Sequence, residues 1–259
     1  MKVIRCLSAC LLALASAFST GAGAQSMPSV AAASDLKFAL EEVAKEYKAS
    51  AGRDVRLTFG SSGNFLRQIQ QGAPFDLFMS ADEGFVDTLV REGLTSGSGT
   101  LYAVGRIVLF APKGSTLKVD AQMADLGAAL KDGRLKKFAI ANPEHAPYGR
   151  AAQEALTSLN LWQGVQPLLV LGENVSQAAQ FAASGSTQGG IFALSLAMSP
   201  AFKDAGTYAV VPDKLHQPLR QKMVVLKRGG AETQAFYDYL QQPAARAVFK
   251  RYGFVLPGE

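Results

Sequence analysis

The chain has 259 residues, with 26 Lys and Arg, 21 Asp and Glu, 48% hydrophobic positions, two Cys and two His. Apolar content of that order supports one large core or two modest ones and excludes a disordered chain or a coiled coil. Two cysteines exclude a disulfide scaffold, and two histidines leave no metal site of the usual His/Cys kind. The net charge of +5, with basic residues scattered among acids, argues against a nucleic-acid surface.

Lys2 and Arg5 precede an apolar run at residues 6–18, and Ala22-Gly23-Ala24 supplies the small residues a signal peptidase reads. The run is shorter than the roughly 20 residues of a membrane-spanning helix. Cleavage is therefore expected after Ala24, removing Cys6 and Cys10 and exporting residues 25–259 to a periplasm.

Downstream, strand and helix patterns alternate. Residues 30–33 read as a buried strand running into a stripe of Leu36, Ala39, Leu40, Val43, Ala44 and Tyr47 that stops at Gly52. Val55, Leu57 and Phe59 alternate with polar residues before the turn Gly60-Ser61-Ser62-Gly63 and a short helix with Phe65, Leu66 and Ile69. Residues 76–80 form a third strand, Asp82 an N-cap, and Phe85, Val86, Leu89 and Val90 the inner face of the next helix. Residues 95–100 read as a loop. A new half begins with a strand at 106–111, followed by strands at 138–141, 168–171, 190–194 and 208–211 and helices at 149–159 and 176–183. A strand at 223–226 and two helical segments around Pro243 close the chain.

This alternation predicts an α/β protein of two lobes, each a mostly parallel sheet flanked by helices, with a ligand cleft between them. Ligands of such sheets sit beyond the carboxyl ends of the strands, where helix N-termini offer unpaired N–H groups. Four strand-to-helix turns share that character: Ala33-Ser34-Asp35, Gly60-Ser61-Ser62-Gly63, Pro147-Tyr148-Gly149 and Glu173-Asn174-Val175-Ser176. Several converging would hold an anion without Lys or Arg, although each taken singly is also an ordinary cap.

The first three of these turns, with Asp76-Leu77-Phe78-Met79-Ser80-Ala81-Asp82, Arg67-Gln68-Ile69, Gly72-Ala73-Pro74, Asn142-Pro143-Glu144-His145-Ala146-Pro147-Tyr148-Gly149 and Phe249-Lys250-Arg251-Tyr252-Gly253-Phe254, resemble the periplasmic molybdate-binding proteins of ABC importers, within the type II periplasmic substrate-binding proteins. The resemblance spans residues 25–259. It implies a monomeric binding protein without cofactor or catalytic residues that closes around molybdate or tungstate and presents it to a membrane permease. The molybdenum would be touched only through its oxo atoms.

Carried over residue by residue, Ser34 and Ser62 would donate through hydroxyl and backbone N–H, and Tyr148 and Val175 through backbone N–H. Some relatives add a tyrosine hydroxyl from a Gly-Ile-x-Tyr strand, but this chain reads Gly190-Ile191-Phe192-Ala193, so the Tyr148 hydroxyl would replace it. Asp35 is the awkward residue, because a carboxylate facing the cleft would repel a dianion or accept the proton of hydrogen phosphate. It is expected to cap its helix with its side chain and offer its N–H. The resemblance also implies a chain that crosses between lobes twice, with 25–105 plus 217–259 in lobe 1 and 106–216 in lobe 2.

Other functions fit less well. Another tetrahedral oxyanion, sulfate or phosphate, is the nearest alternative. A secreted hydrolase lacks the Gly-x-Ser-x-Gly elbow and has only His145 and His216 as bases, and His145 reads as a loop residue. Asn174 reads as an N-cap rather than a glycan acceptor, Trp162, Phe181, Phe236, Tyr237 and Tyr239 as packing residues, and Asp204 and Asp213 as having no identifiable partner.

Overall fold

The computed structural model describes residues 27–258, and the expected signal peptide, 1–24, lies outside them. The first part of the chain builds β1 (Ser29–Ala33), α1 (Lys37–Ala51), β2 (Arg56–Gly60), α2 (Ser62–Gln70), β3 (Leu77–Ser80), α3 (Glu83–Arg91) and β4 (Thr100–Gly105). There follow β5 (Ile107–Pro112), α4 (Ala124–Lys131), β6 (Phe138–Ala141), α5 (Pro147–Ser158), α6 (Trp162–Val165), β7 (Leu169–Gly172), α7 (Val175–Ala183), β8 (Gly189–Ala193), α8 (Leu194–Ala197) and β9 (Gly206–Val210). The chain ends with β10 (Leu219–Val225), α9 (Ala231–Tyr239) and α10 (Pro243–Arg251).

Two five-stranded sheets result, in the orders β2-β1-β3-β10-β4 and β7-β6-β8-β5-β9. Each is mixed rather than mostly parallel. β1 runs parallel to β2 and β3, and β6 to β7 and β8. β10 is antiparallel to β3 and β4, and β5 is antiparallel to β8 and β9. β4, α4, α6, α8 and the first half of β10 are additions to the elements expected from periodicity. Arg106 lies between β4 and β5, so the new half begins one residue later than predicted.

The first sheet shows how strand periodicity separates its two cores. Val30, Ala32, Leu77, Met79, Met223 and Val225 face one side with Leu36, Leu40 and Val43 of the first helical segment and Phe236, Val248 and Phe249 of the last two helices. Ala31, Phe78 and Val224, the residues between, face the other with Phe65 and Ile69 of α2 and Val86 and Leu89 of α3. The second sheet buries Val108, Phe110, Phe138, Ile140, Ile191 and Phe192, and this core also takes in Ala33, Ala81 and Leu219 from the first. The two lobes are thus packed against each other, with the C-terminal ends of β1, β2, β6 and β7 meeting at the seam.

Local chemistry explains the helix starts there. Asp82 accepts from the N–H of Gly84 and Asn174 from that of Gln177, both N-caps as predicted. Ser61 accepts from Asn64 at the head of α2, and Pro147 opens α5 at a position where no N–H is needed.

Candidate functional site

Beyond β1 the chain makes one 3-10 turn, Ser34–Leu36, while α2 and α7 start with at most two residues between them and the ends of β2 and β7, and α5 starts after the turn 142–146 that follows β6. Ser34, Asp35, Ser62, Tyr148 and Val175, all five expected site residues, line one small cavity together with Ala33, Gly60, Ser61, Ala81, Ala146 and Pro147. It is a small, tight cavity, with no room for a sizeable organic solute. A larger groove of about 790 Å³ around Glu154, Lys214 and His216 is open to solvent and away from these turns.

The cavity is rich in donors. Ser62 and Val175 are the first residues of their helices and Tyr148 the second of its own, so their N–H groups have no intrahelical acceptor. The Ser62 hydroxyl accepts from the N–H of Ala81 at 3.0 Å, and the Ser34 hydroxyl accepts from that of Ser176 at 3.3 Å. Each hydroxyl has used a lone pair and keeps its proton to donate. Among the described residues no Lys or Arg lines the cavity. Arg150, on α5 two residues past Tyr148, is committed to Asp82 at 2.6 Å and Glu154 at 3.6 Å. Positive potential here comes from three helix N-termini, which favours an anion without adding an ion pair.

Asp35 differs from expectation. Ala33 occupies the N-cap of the turn, without a side-chain cap, and the Asp35 carboxylate is held mainly by side chains of other elements, with the local N–H groups of Asp35 and Leu36 adding a smaller effect. Its Oδ2 accepts from the Tyr148 hydroxyl at 2.9 Å and from Gln221 Nε2 at 2.7 Å, and its Oδ1 is buried with no partner. The Tyr148 hydroxyl is therefore spent on Asp35 and Gln221, the latter at 2.9 Å, rather than left for a ligand. Burial pushes the Asp35 carboxyl up to about 6, against the lowering effect of its Gln221 and Tyr148 hydrogen bonds. Burial and then the Asp35 charge push the Tyr148 phenol well above its usual value.

Sequence reasoning missed Gln221, Tyr102, Ser195 and the placement of His145. Gln221 is fully buried on β10 beside a break in the ladder register between Gln221 and Lys222, and its Oε1 accepts from the Tyr102 hydroxyl at 2.7 Å. Ser195 donates to the Asp35 carbonyl at 2.8 Å. His145 is mostly buried, its Nδ1 lying 2.9 Å from Ser61 Oγ and its Nε2 3.6 Å from Glu173. A signal for Gln221 exists: Leu219, Gln221 and Met223 alternate as the inward residues of a strand, so a glutamine sits at a core position. Asp213 has a partner too, Arg106 at 3.4 Å.

A family model described as bacterial extracellular solute-binding protein matches residues 28–255. The chain belongs to that family. This solute-binding protein is 38% identical to the molybdate-binding protein ModA of Azotobacter vinelandii over 88% of its length and 89% of that chain. It is 34% identical to the molybdate-binding protein ModA of Escherichia coli K12 over 88% of each. The solved periplasmic molybdate-binding protein of Azotobacter vinelandii superposes with a TM-score of 0.81 at 32% identity, covering 89% of this chain and 99% of that one. The two-lobed periplasmic binding protein fold is shared.

Proposed function

We propose that this solute-binding protein captures molybdate, and tungstate with it, in the periplasm and hands it to the permease of an ABC importer. The observation that carries this is the convergence of Ser34, Ser62, Tyr148 and Val175 from both lobes on one small cavity, where they offer neutral donors beside Asp35. Molybdate is fully ionised at neutral pH and offers only acceptors. Hydroxyls and N–H groups satisfy it, whereas an isolated charge buried without them would be very costly. The relatives' names point to the same ligand.

In this reading the molybdenum is held through its oxo atoms, with no cofactor and no catalytic group. The protein acts as a monomer that binds without turnover, with 25–105 plus 217–259 as one lobe and 106–216 as the other. Smaller sulfate is rejected because rigid turns leave donors unpaired around it. Calorimetric titration of residues 25–259 with molybdate, tungstate, sulfate and phosphate tests the assignment: tight binding of the first two only supports it. One observation favours a second reading. The unpartnered Oδ1 of Asp35 could accept the proton of hydrogen phosphate, and phosphate binding abolished by Asp35→Asn would establish that instead.

A further inference from the structure

We propose, resting on the oxyanion reading above, that Asp35 couples anion capture to the uptake of one proton. The ionised carboxylate of the unliganded protein becomes a carboxylic acid, protonated on Oδ1, when a dianion enters. One O–H bond forms at Oδ1 as one breaks on the buffer acid, and no bond within the protein is lost.

Three observations carry this. First, Asp35 lines the cavity and is almost wholly buried, so a dianion there meets a second negative charge with little water between them. Second, the carboxyl is asymmetric. Oδ2 accepts from both Tyr148 and Gln221, and both bonds survive protonation of the other oxygen, while Oδ1 is the atom without a partner. Third, nothing cationic holds the charge in place. The titratable groups facing the carboxyl are phenols, Tyr148 of α5 and, behind Gln221, Tyr102 of β4. β10 presents Gln221, α8 presents Ser195, α7 presents Val175 and Ser176, and α2 presents Ser62, all neutral. Lys37, two residues on, pairs with Glu41 at 3.6 Å, and His145 faces Ser61 and Glu173.

Burial, net of the hydrogen bonds that oppose it, has already brought the carboxyl up to about 6, so a nearby dianion has a short way to carry it past neutrality. The carboxylic acid also becomes a donor in a site of donors. This resolves why a residue that should repel the ligand can line its cavity.

The test is calorimetric titration of residues 25–259 with sodium molybdate at pH 7.5 in PIPES, HEPES and Tris, whose ionisation enthalpies differ. The expected result is a binding enthalpy that varies with buffer, giving uptake approaching one proton per anion, and an affinity that falls about tenfold per pH unit above pH 7. Asp35→Asn should abolish both dependences, whereas His145→Gln should keep them. Tight molybdate binding with a buffer-independent enthalpy overturns the proposal and leaves the oxyanion reading standing. If Asp35→Asn fails to fold, the wild-type buffer and pH dependences, with His145→Gln, decide. Phosphate binding without proton exchange overturns the proposal in favour of hydrogen phosphate sharing its own proton. Failure of molybdate, tungstate, sulfate and phosphate alike overturns both.

Discussion

The N–H of Gly63 donates to the carbonyl of His145 at 3.0 Å, and a Cβ on residue 63 would lie 2.7 Å from that oxygen. Gly63 follows β2 of the first sheet and His145 follows β6 of the second, so this contact ties the two lobes together. The lack of a side chain at residue 63 is what lets the two backbones touch, since the contact falls on a carbonyl and not on a movable side chain. Gly63→Ala should leave the fold of each lobe intact but hold them apart by the overlap, weakening molybdate binding by about 1–3 kcal/mol. Calorimetric titration reads the affinity and small-angle scattering the wider shape. Unaltered affinity would mean that closure does not need this approach.

Ser62 has two duties, accepting from Ala81 and donating toward the cavity. Ser62→Ala should weaken molybdate binding by roughly 1–3 kcal/mol. It should also lower the thermal midpoint of the unliganded protein, because the N–H of Ala81 loses its acceptor. A drop in stability without a drop in affinity would assign the hydroxyl to Ala81 alone.

Asp35 gives the unliganded protein a pH dependence of definite sign. Its carboxyl titrates near 3.8 unfolded and about 6 folded, so the folded state binds more protons between those values. This group's contribution to stability is highest below pH 3.8 and is lost as pH rises through 6, by roughly 3 kcal/mol. Urea unfolding of wild type and Asp35→Asn from pH 4 to 7.5 should show the variant gaining on wild type as pH rises. Parallel curves would place the carboxyl in an ordinary aqueous environment.

Tyr148→Phe removes the hydroxyl that links the second lobe to Asp35 and Gln221. Since that hydroxyl is spent within the protein, the loss should fall on closure rather than on ligand recognition. Affinities for molybdate and tungstate should drop together by about 1–3 kcal/mol, the range for leaving a buried hydrogen-bond partner unmatched, with their ratio unchanged. A selective loss of one anion would put the hydroxyl on the ligand.

The strands and turns were legible because their signals are local. Asp82 and Asn174 cap the helices they adjoin, and the alternation around Phe59 and the stripe from Leu36 to Tyr47 need only neighbours in sequence. Asp35 was misread because its sequence context, after a strand and before a helix, fits a cap equally well. Its actual partners stand 113 and 186 positions away. β4 was hidden by the Ser/Gly-rich stretch before it, and α4 by an alanine-rich run whose start is a left-handed Met123 rather than a capping side chain. Gln221 went unseen because the strand was begun at Met223, two residues past the polar side chain that breaks its apolar pattern.

Strand β10 supplies Lys222 opposite Ser80 and Met223 opposite Thr100, so the first sheet joins segments separated by the whole of the second. Such pairings carry a large loop-closure entropy and form slowly, whereas β5 to β9 are contiguous. A chain emerging N-terminus first across a membrane would therefore assemble its middle before its beginning. The hydrophobic edge of β3 would wait unpaired until residue 225 had arrived. The vulnerable stage of folding is then the interval in which one sheet is finished and the other still lacks β10.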